Sequence, residues 1–276
     1  MRCYLINLGR RPDRLAAMTA QGQALGLVLD RVEACDAATT APAALDRWFA
    51  PIDERGGGPL GEIPRGDKAC LLSHRAAWEQ FIAGSDAHAV FLEDDVRLSK
   101  AAAAMLVDDG WIPDGVTVVK LEHYGPPGQR VLLTDLETLS VAPPRQAATA
   151  LGNFQIGRML SRHTGAAAYI LDRAAAKLLL AQTRFDLPVD HLLFNPNNSA
   201  LFAALSPWQL LPAVARQEQF VGEKSDIEAT RKGLRSLGLT YIGRELVRFG
   251  YDLKLIPRQI AALLGGARFV LVKTAT

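Results

Sequence analysis

Apolar runs of strand length alternate with helix-period segments along most of this chain. The run Cys3–Leu8 predicts a buried strand close to the N-terminus. Gly9, the basic pair Arg10-Arg11 and Pro12-Asp13-Arg14 form a helix-start signal, followed by Leu15, Met18 and Leu25 at helical spacing. The segment VLDRVEACDA predicts a second short strand, and the order β-α-β predicts a parallel αβ layer. Pro42, Pro51, Gly56-Gly57-Gly58-Pro59, Gly61 and Pro64 mark residues 39–68 as a long loop of the kind that serves as a lid.

Beyond that loop, KACLLSHRAAWEQFIAG (68–84) predicts a helix with Leu71, Leu72, Ala76, Trp78, Phe81 and Ile82 on a broad apolar face. HAVFLEDDV, GVTVVKLEHY (115–124) and HTGAAAYIL (163–171) predict strands, and RAAAKLLLAQT (173–183) predicts a helix. DLPVDHLLF (186–194) reads as a turn and then an apolar segment, and PWQLLPAVARQ reads as extended chain. From about residue 226, apolar residues alternate with Arg and Lys and acids become scarce. The expected organisation is an α/β domain over 1–227 and a basic, amphipathic appendage of one or two helices over 228–276. No fixed-period repeat is visible.

With 276 residues, 49% hydrophobic and 22% charged, the chain has the make-up of a folded protein. A formal charge of +2 gives no general attraction to nucleic acid, and no nucleic-acid partner is expected. Cys3, Cys35 and Cys70 lie far apart without a C-x-x-C pairing, so they form no zinc pattern and fit a reducing compartment. In MRCYLINLGRRPDR the apolar stretch ends at arginines within a few residues, the pattern of neither a secretory signal nor a membrane span. The expected location is the cytoplasm.

The candidate chemistry centres on HAVFLEDDVRL (88–98), where an apolar run meets Glu93, Asp94 and Asp95. In open αβ sheets, ligand sites gather beyond the carboxyl ends of strands. Adjacent carboxylates repel one another and resist burial unless something offsets them, as a divalent cation bound to a diphosphate does. In extended backbone Glu93 and Asp95 point to one side, toward such a site, and Asp94 to the other, toward a supporting loop. The alternative is a solvated turn that caps a following helix. INLGRRPDR offers backbone amides and arginines to phosphates or a base, or else a solvated helix start, the reading preferred for Arg10. Ser73-His74 lies within a predicted helix, with no acid or second His close in sequence to complete a hydrolytic triad. Asp190, after Pro188, suits either a general base or the N-cap of HLLF.

Taken in order, YLINLGRRPDR, VEACDA, ACLLSHRAAWEQF, VFLEDDV, VVKL, TGAAAYILDRAAAKLL, LPVDHLL and a late ARQ with Ser225 are more specific than any one block. Together they resemble glycosyltransferase family 25, which includes lipopolysaccharide-type glycan enzymes and collagen galactosyltransferase domains, across residues 2–227. The resemblance implies a GT-A-like nucleotide-sugar-binding domain with a central, mostly parallel sheet, in which the triplet acts as a D-x-D-type motif. It implies Asp95 and Glu93 as ligands of Mn²⁺ or Mg²⁺, with Glu93 also near the donor's ribose and Asp94 in support. It places Asn7, Leu8 and Arg14 near the nucleotide, Asp36 at the ribose or base, and Ser73 and His74 in the lining of the donor site. It also places Lys120, on the strand after the acidic motif, among the donor-binding residues. Asp190 matches a Pro-x-Asp aspartate and is the candidate base, inferred from the inverting mechanism expected of the family. The chain departs from the family pattern at Asp67-Lys68-Ala69-Cys70, at Gly61-Glu62-Ile63, which comes too early, and at Gly165-Ala166 in place of Gly-Thr.

The reaction so implied is transfer of a hexose, galactose by preference, from a UDP-sugar to a hydroxyl of a surface glycan such as lipopolysaccharide or capsule, or of a lipid-linked glycan. The rival is a non-catalytic nucleotide-sugar or glycan-binding module that retains the fold, for which the altered segments speak. A metal-dependent phosphotransferase lacks its glycine-rich phosphate loop here. In the tail, Arg231, Lys232, Arg235, Arg244, Arg248, Lys254, Arg258 and Arg268 stand among Leu, Ile, Phe and Tyr. That pattern fits helices lying on an anionic membrane surface, or a helical pair packed on the domain.

Overall fold

The computed structural model describes residues 1–51, 62–124, 129–139, 153–217, 253 and 255–275. The chain starts as the expected β-α-β unit: β1 (Arg2–Asn7), α1 (Pro12–Leu25) and β2 (Leu29–Glu33), with the two strands parallel and Cys3 opposite Leu29. Pro12 opens α1, where a missing N–H leaves nothing unpaired, and Gly26 closes it in the left-handed region.

The stretch read as one long loop is part helix. Residues 42–46 form α2 (Pro42–Asp46), and α3 (Arg65–Ala83) starts ahead of position 68; residues 52–61 lie outside the described residues. Proline suits helix starts as well as loops, and composition alone does not separate the two. Then follow β3 (His88–Glu93), β4 (Val96–Leu98), α4 (Ala102–Met105), β5 (Val118–Lys120), β6 (Glu122–His123), β7 (Arg130–Thr138), β8 (Gln155–Met159) and β9 (Ala168–Asp172). The remainder holds α5 (Arg173–Leu180), α6 (Val189–Phe194), α7 (Phe202–Leu205), β10 (Trp208–Leu211), β11 (Ala215–Gln217) and β12 (Arg268–Leu271). β7 and β8 escaped the sequence pattern. Asp135, at φ 53°, breaks the alternation of β7, and its ladder with β8 slips between Thr134 and Glu137.

Nine strands form one sheet in the order β12-β7-β8-β10-β5-β9-β3-β1-β2. The sheet is mixed, not mostly parallel as expected. β1–β2, β1–β3 and β5–β10 are parallel, whereas β12–β7, β7–β8, β8–β10, β5–β9 and β9–β3 are antiparallel. An apolar run signals a strand buried on both faces but carries no information about direction. Tyr4, Ile6, Phe91 and Tyr169 point into one core cluster with Trp78 and Phe81 of α3 and Leu179 of α5. Cys3, Leu5, Val90, Leu92 and Ile170 alternate with them into a second cluster, with Met18 of α1 and Met105 of α4.

A second sheet has the order β4-β11-β6. Its strands follow β3, β10 and β5 in the chain, so each continues a strand of the large sheet past its carboxyl end. The chain's end does not stand wholly apart. Residues 255–264 are helical, and β12 pairs antiparallel with β7, Arg268 lying opposite Leu133. Val272 is buried in the same cluster as Val131. The region read as an appendage over 228–276 therefore supplies an edge strand, whose short apolar run is masked by the basic residues around it. Ser225, Arg231, Lys232, Arg235, Arg244, Arg248 and Lys254 lie outside the described residues. Among those described, no helix is long and apolar enough to cross a membrane.

Candidate active site

β1, β2 and β3 run in one direction, and the chain beyond their carboxyl ends borders a cavity of about 310 Å³. Its walls are Leu8 and Arg10 after β1, Arg14 of α1, residues 34–38 after β2, the first turns of α3 and the triplet Glu93, Asp94 and Asp95. That is the size and placement of a small-molecule site.

Extended backbone was expected through the triplet, but only Glu93 belongs to β3; Asp94 and Asp95 form the turn to β4, and all three line the cavity. Asp94 accepts hydrogen bonds from Asn7 Nδ2 at 2.8 Å and Arg14 Nη1 at 3.1 Å. Glu93 and Asp95 meet at a single amide: Gln217 Nε2 donates to Glu93 Oε2 at 3.1 Å and to Asp95 Oδ1 at 3.4 Å. Register explains the meeting, because β11 pairs with β4 so that Gln217 lies opposite Val96, the residue after Asp95.

The three carboxyls titrate unequally. Burial, reinforced by the charge of Glu93, pushes Asp95 up to about 8. Burial also raises Asp94, against the pull of Asn7 and Arg14. On Glu93 burial acts in the same sense but is outweighed by His74 and Cys70, which hold it below the usual carboxylate value.

Glu93 owes its setting to α3, on which Cys70, His74 and Trp78 follow one another at helical-turn spacing. His74 Nε2 lies 3.0 Å from Glu93 Oε1, and Cys70 Sγ donates to the same oxygen at 3.4 Å. His74 is fully buried and touches Glu93 from behind the cavity wall instead of lining it. Ser73 does line the cavity; it accepts from the Cys35 N–H at 2.9 Å and donates to Ala69 O at 2.8 Å. Asn7 is buried behind the wall, donating also to Arg11 O. Asp36 is held below the usual carboxylate value by the Ala38 N–H, against burial, with help from Arg10. Arg10, read as a solvated helix start, is engaged with Asp36 at 2.8 Å on the cavity wall.

Lys120 is fully buried and lies outside the wall. Its ammonium pairs with Glu122 Oε1 at 2.7 Å, donates to Gly165 O and sits 4.4 Å from the centroid of the Phe194 ring. Burial lowers Lys120 and raises Glu122, each against the attraction of its partner. Together they anchor the segment before β9. Glu122 Oε1 also accepts from the Ala167 N–H at 2.9 Å, and Gly165, at φ 86°, lies where an added Cβ would come within 2.8 Å of that oxygen. The Gly165 N–H in turn donates to Asp190 Oδ2 at 3.5 Å. Asp190 sits in the first turn of α6, where Pro188 is the N-cap, so capping does not account for it. Its charge reaches Glu93, Cys70 and Lys120.

The donor set fits a hard divalent cation beside Glu93 and Asp95. Both offer carboxylate oxygens on one side, and among the described residues the Gln217 amide is the hydrogen-bond partner of the buried Asp95 carboxyl. Cys70, His74 and Glu93 also bring ligand atoms within 4.8 Å of one another. Nothing in the sequence pattern singled out Glu122 or Tyr169 as partners of the site. Gln217 stood in the ARQ block, but the register that aims it is not a local property.

A family model described as Glycosyltransferase family 25 (LPS biosynthesis protein) matches residues 1–193. The chain is 28% identical over 160 residues to the lacto-N-neotetraose biosynthesis glycosyltransferase LgtB of Neisseria gonorrhoeae, covering 55% of this chain and 53% of that one. It is 28% identical over 171 residues to the lipooligosaccharide biosynthesis protein lex-1 of Haemophilus influenzae, covering 56% and 50%. With LgtE of Neisseria gonorrhoeae the identity is 27% over 234 residues, covering 75% and 78%. The chain spans about half the length of the first two of these relatives. The family match takes in every residue of the cavity wall and Asp190, and Gln217 falls beyond it. The chain belongs to glycosyltransferase family 25.

Proposed function

We propose that the protein is a metal-dependent, inverting glycosyltransferase that moves a hexose, galactose by preference, from a UDP-sugar to a hydroxyl of a surface glycan of the lipopolysaccharide type. One observation carries this reading: Glu93 and Asp95 lie side by side on the wall of a cavity at the carboxyl ends of parallel strands, joined by the Gln217 amide. The lipooligosaccharide and lacto-N-neotetraose biosynthesis named for its relatives supports the acceptor class.

Mn²⁺ or Mg²⁺ held by Asp95 and Glu93 would stabilise the charge that develops on the leaving diphosphate. The chain's own groups do the rest. Asn7 and Arg14 fix the turn of the triplet through Asp94. Arg65 and Gly66, in the first turn of α3, offer positive charge and amides to phosphate oxygens. Leu8, Asp36 and Ser73 line the space for the nucleoside. Asp190 takes the proton of the acceptor hydroxyl as that oxygen bonds to the anomeric carbon and the bond to the diphosphate breaks. A single displacement releases UDP and inverts the carbon. Lys120 and Glu122 hold Gly165, which orients Asp190.

The test is UDP release from a panel of UDP-hexoses with and without Mn²⁺, in the presence of glycan acceptors. Mn²⁺-dependent release supports the transferase. Donor binding with no release from any sugar supports the binding module instead.

Ile256, Ile260, Leu263 and Leu264 are exposed on the helix over 255–264, and Arg258 and Arg268 are exposed too. They support peripheral contact with an anionic membrane by a cytoplasmic enzyme that works on lipid-linked glycans. Sedimentation with anionic vesicles checks this. Equal binding by the wild type and an Ile260→Ser/Leu264→Ser variant would remove it.

A further inference from the structure

We propose that Tyr169 is a positioning residue: it fixes which nitrogen of His74 carries the proton, and His74 thereby aims Glu93. The proposal rests on the reading of Glu93 and Asp95 as the donor and metal site. Three buried groups form a chain with one direction of donation. The Trp78 indole N–H, which can only donate, lies 2.9 Å from the Tyr169 hydroxyl oxygen. That hydroxyl lies 2.7 Å from His74 Nδ1, and His74 Nε2 lies 3.0 Å from Glu93 Oε1. Tyr169 is fully buried, and among the described residues Nδ1 is the acceptor within reach of its proton. The hydroxyl therefore donates to Nδ1, so the ring carries its proton on Nε2 and presents it to the carboxylate. The opposite tautomer would turn a lone pair on Glu93 and strand the tyrosine proton. A doubly protonated ring would strand that proton too.

Packing keeps the chain from rearranging. Trp78 follows His74 by one turn of α3, and Tyr169 stacks on His74 at 5.6 Å and on Phe91 at 5.2 Å, with Phe194 edge-on at 6.1 Å. Cys70 adds a second donor to the same carboxylate oxygen. Glu93 Oε1 is thus occupied, and Oε2 is turned toward Gln217 and Asp95. The same direction of donation closes the Cys70, His74 and Glu93 cluster to a cation. A metal on Nε2 would move the ring proton to Nδ1, against the Tyr169 hydroxyl.

Long-range proton–nitrogen NMR of the ¹⁵N-labelled protein, without donor or acceptor, reads the tautomer directly, with His74 assigned by its loss in a His74→Gln variant. The expected wild-type result at neutral pH is a protonated Nε2 and a bare Nδ1. A protonated Nδ1 overturns the proposal. In Tyr169→Phe, which keeps the ring packing, His74 is expected to shift toward the other tautomer. Mn²⁺ affinity, measured by electron paramagnetic resonance on the same protein, is expected to fall about tenfold, the lower range for a lost outer partner. A merely structural role would reduce the folded fraction and leave tautomer and affinity unchanged, and that outcome also overturns the proposal. A correct tautomer in a protein that transfers no sugar sinks the transferase reading alone; a reversed tautomer in an active transferase sinks this one alone.

Discussion

Gln217 and Glu93 stand 124 positions apart in the chain, yet the glutamine amide donates to Glu93 Oε2 at 3.1 Å and reaches Asp95 with the same nitrogen. A neutral donor shared by two carboxyls holds them together without neutralising either, which leaves the charge available to a cation. Gln217→Leu is therefore expected to lower Mn²⁺-dependent donor turnover tenfold to a hundredfold. That range matches the roughly 1.5–3 kcal/mol of a hydrogen bond to a charged group. Steady-state UDP release checks it, and an unchanged rate would show that the amide is incidental.

Asp95 supplies the pH dependence. Its carboxyl, raised from 3.8 to about 8, binds a proton in the folded state that the unfolded chain has lost over that interval. The stability of the metal-free protein should therefore fall as pH rises from about 4 to about 8 and level off above. Asp95→Asn should flatten that slope in thermal unfolding with chelator present. Because a cation must displace this proton, Mn²⁺ affinity should climb with pH, by up to about tenfold per unit, until Asp95 is ionised. Calorimetric titration in buffers of different ionisation enthalpy would show the released proton. Turnover in Asp95→Asn should drop below detection.

Asp190→Asn preserves the shape of the side chain and the hydrogen bond from Gly165 while removing the proton acceptor. Transfer should fall by about 10²–10⁴, the usual contribution of a general base, with UDP-sugar binding held within a few-fold. Parallel loss of binding and transfer would assign Asp190 to the donor site instead.

Lys120 and Glu122 form a pair buried on both sides. Lys120→Met leaves Glu122 without its cation and should destabilise the fold by about 3–5 kcal/mol, read as a lowered denaturation midpoint. Adding Glu122→Gln removes the stranded charge while keeping an acceptor for the Ala167 N–H, and should recover most of that loss. No recovery would mean that the ammonium's bond to Gly165, not the charge balance, is what matters.

How much of this could be read from the residues depends on how local each feature is. The split of the triplet, Asp94 toward Asn7 and Arg14 and Glu93 with Asp95 toward Gln217, is decided within three residues, by the turn between β3 and β4. β1, α1, β2 and α3 were legible for the same reason, since their apolar spacing is set by their own geometry. Gln217 and Tyr169 were not legible as site residues, because strand register between distant segments decides where they point. His74 and Lys120 look like ligand contacts in the sequence and are buried supports in the fold. The directions of β8, β9 and β12, which make the sheet mixed, are likewise a matter of connection and leave no mark on the strands' own composition.

β12 sets the unit in which this protein can be handled. Were the chain cut where its texture changes, near residue 228, β7 would lose its outer partner from Arg130 to Leu133 and present unpaired N–H and C=O groups to solution. A bare strand of that kind recruits other strands, so such a fragment should self-associate whatever the tail does at a membrane. The far end of the chain thus guards the edge most distant in the sheet from β2, and its other roles are separable only by substitutions that leave residues 268–272 in place.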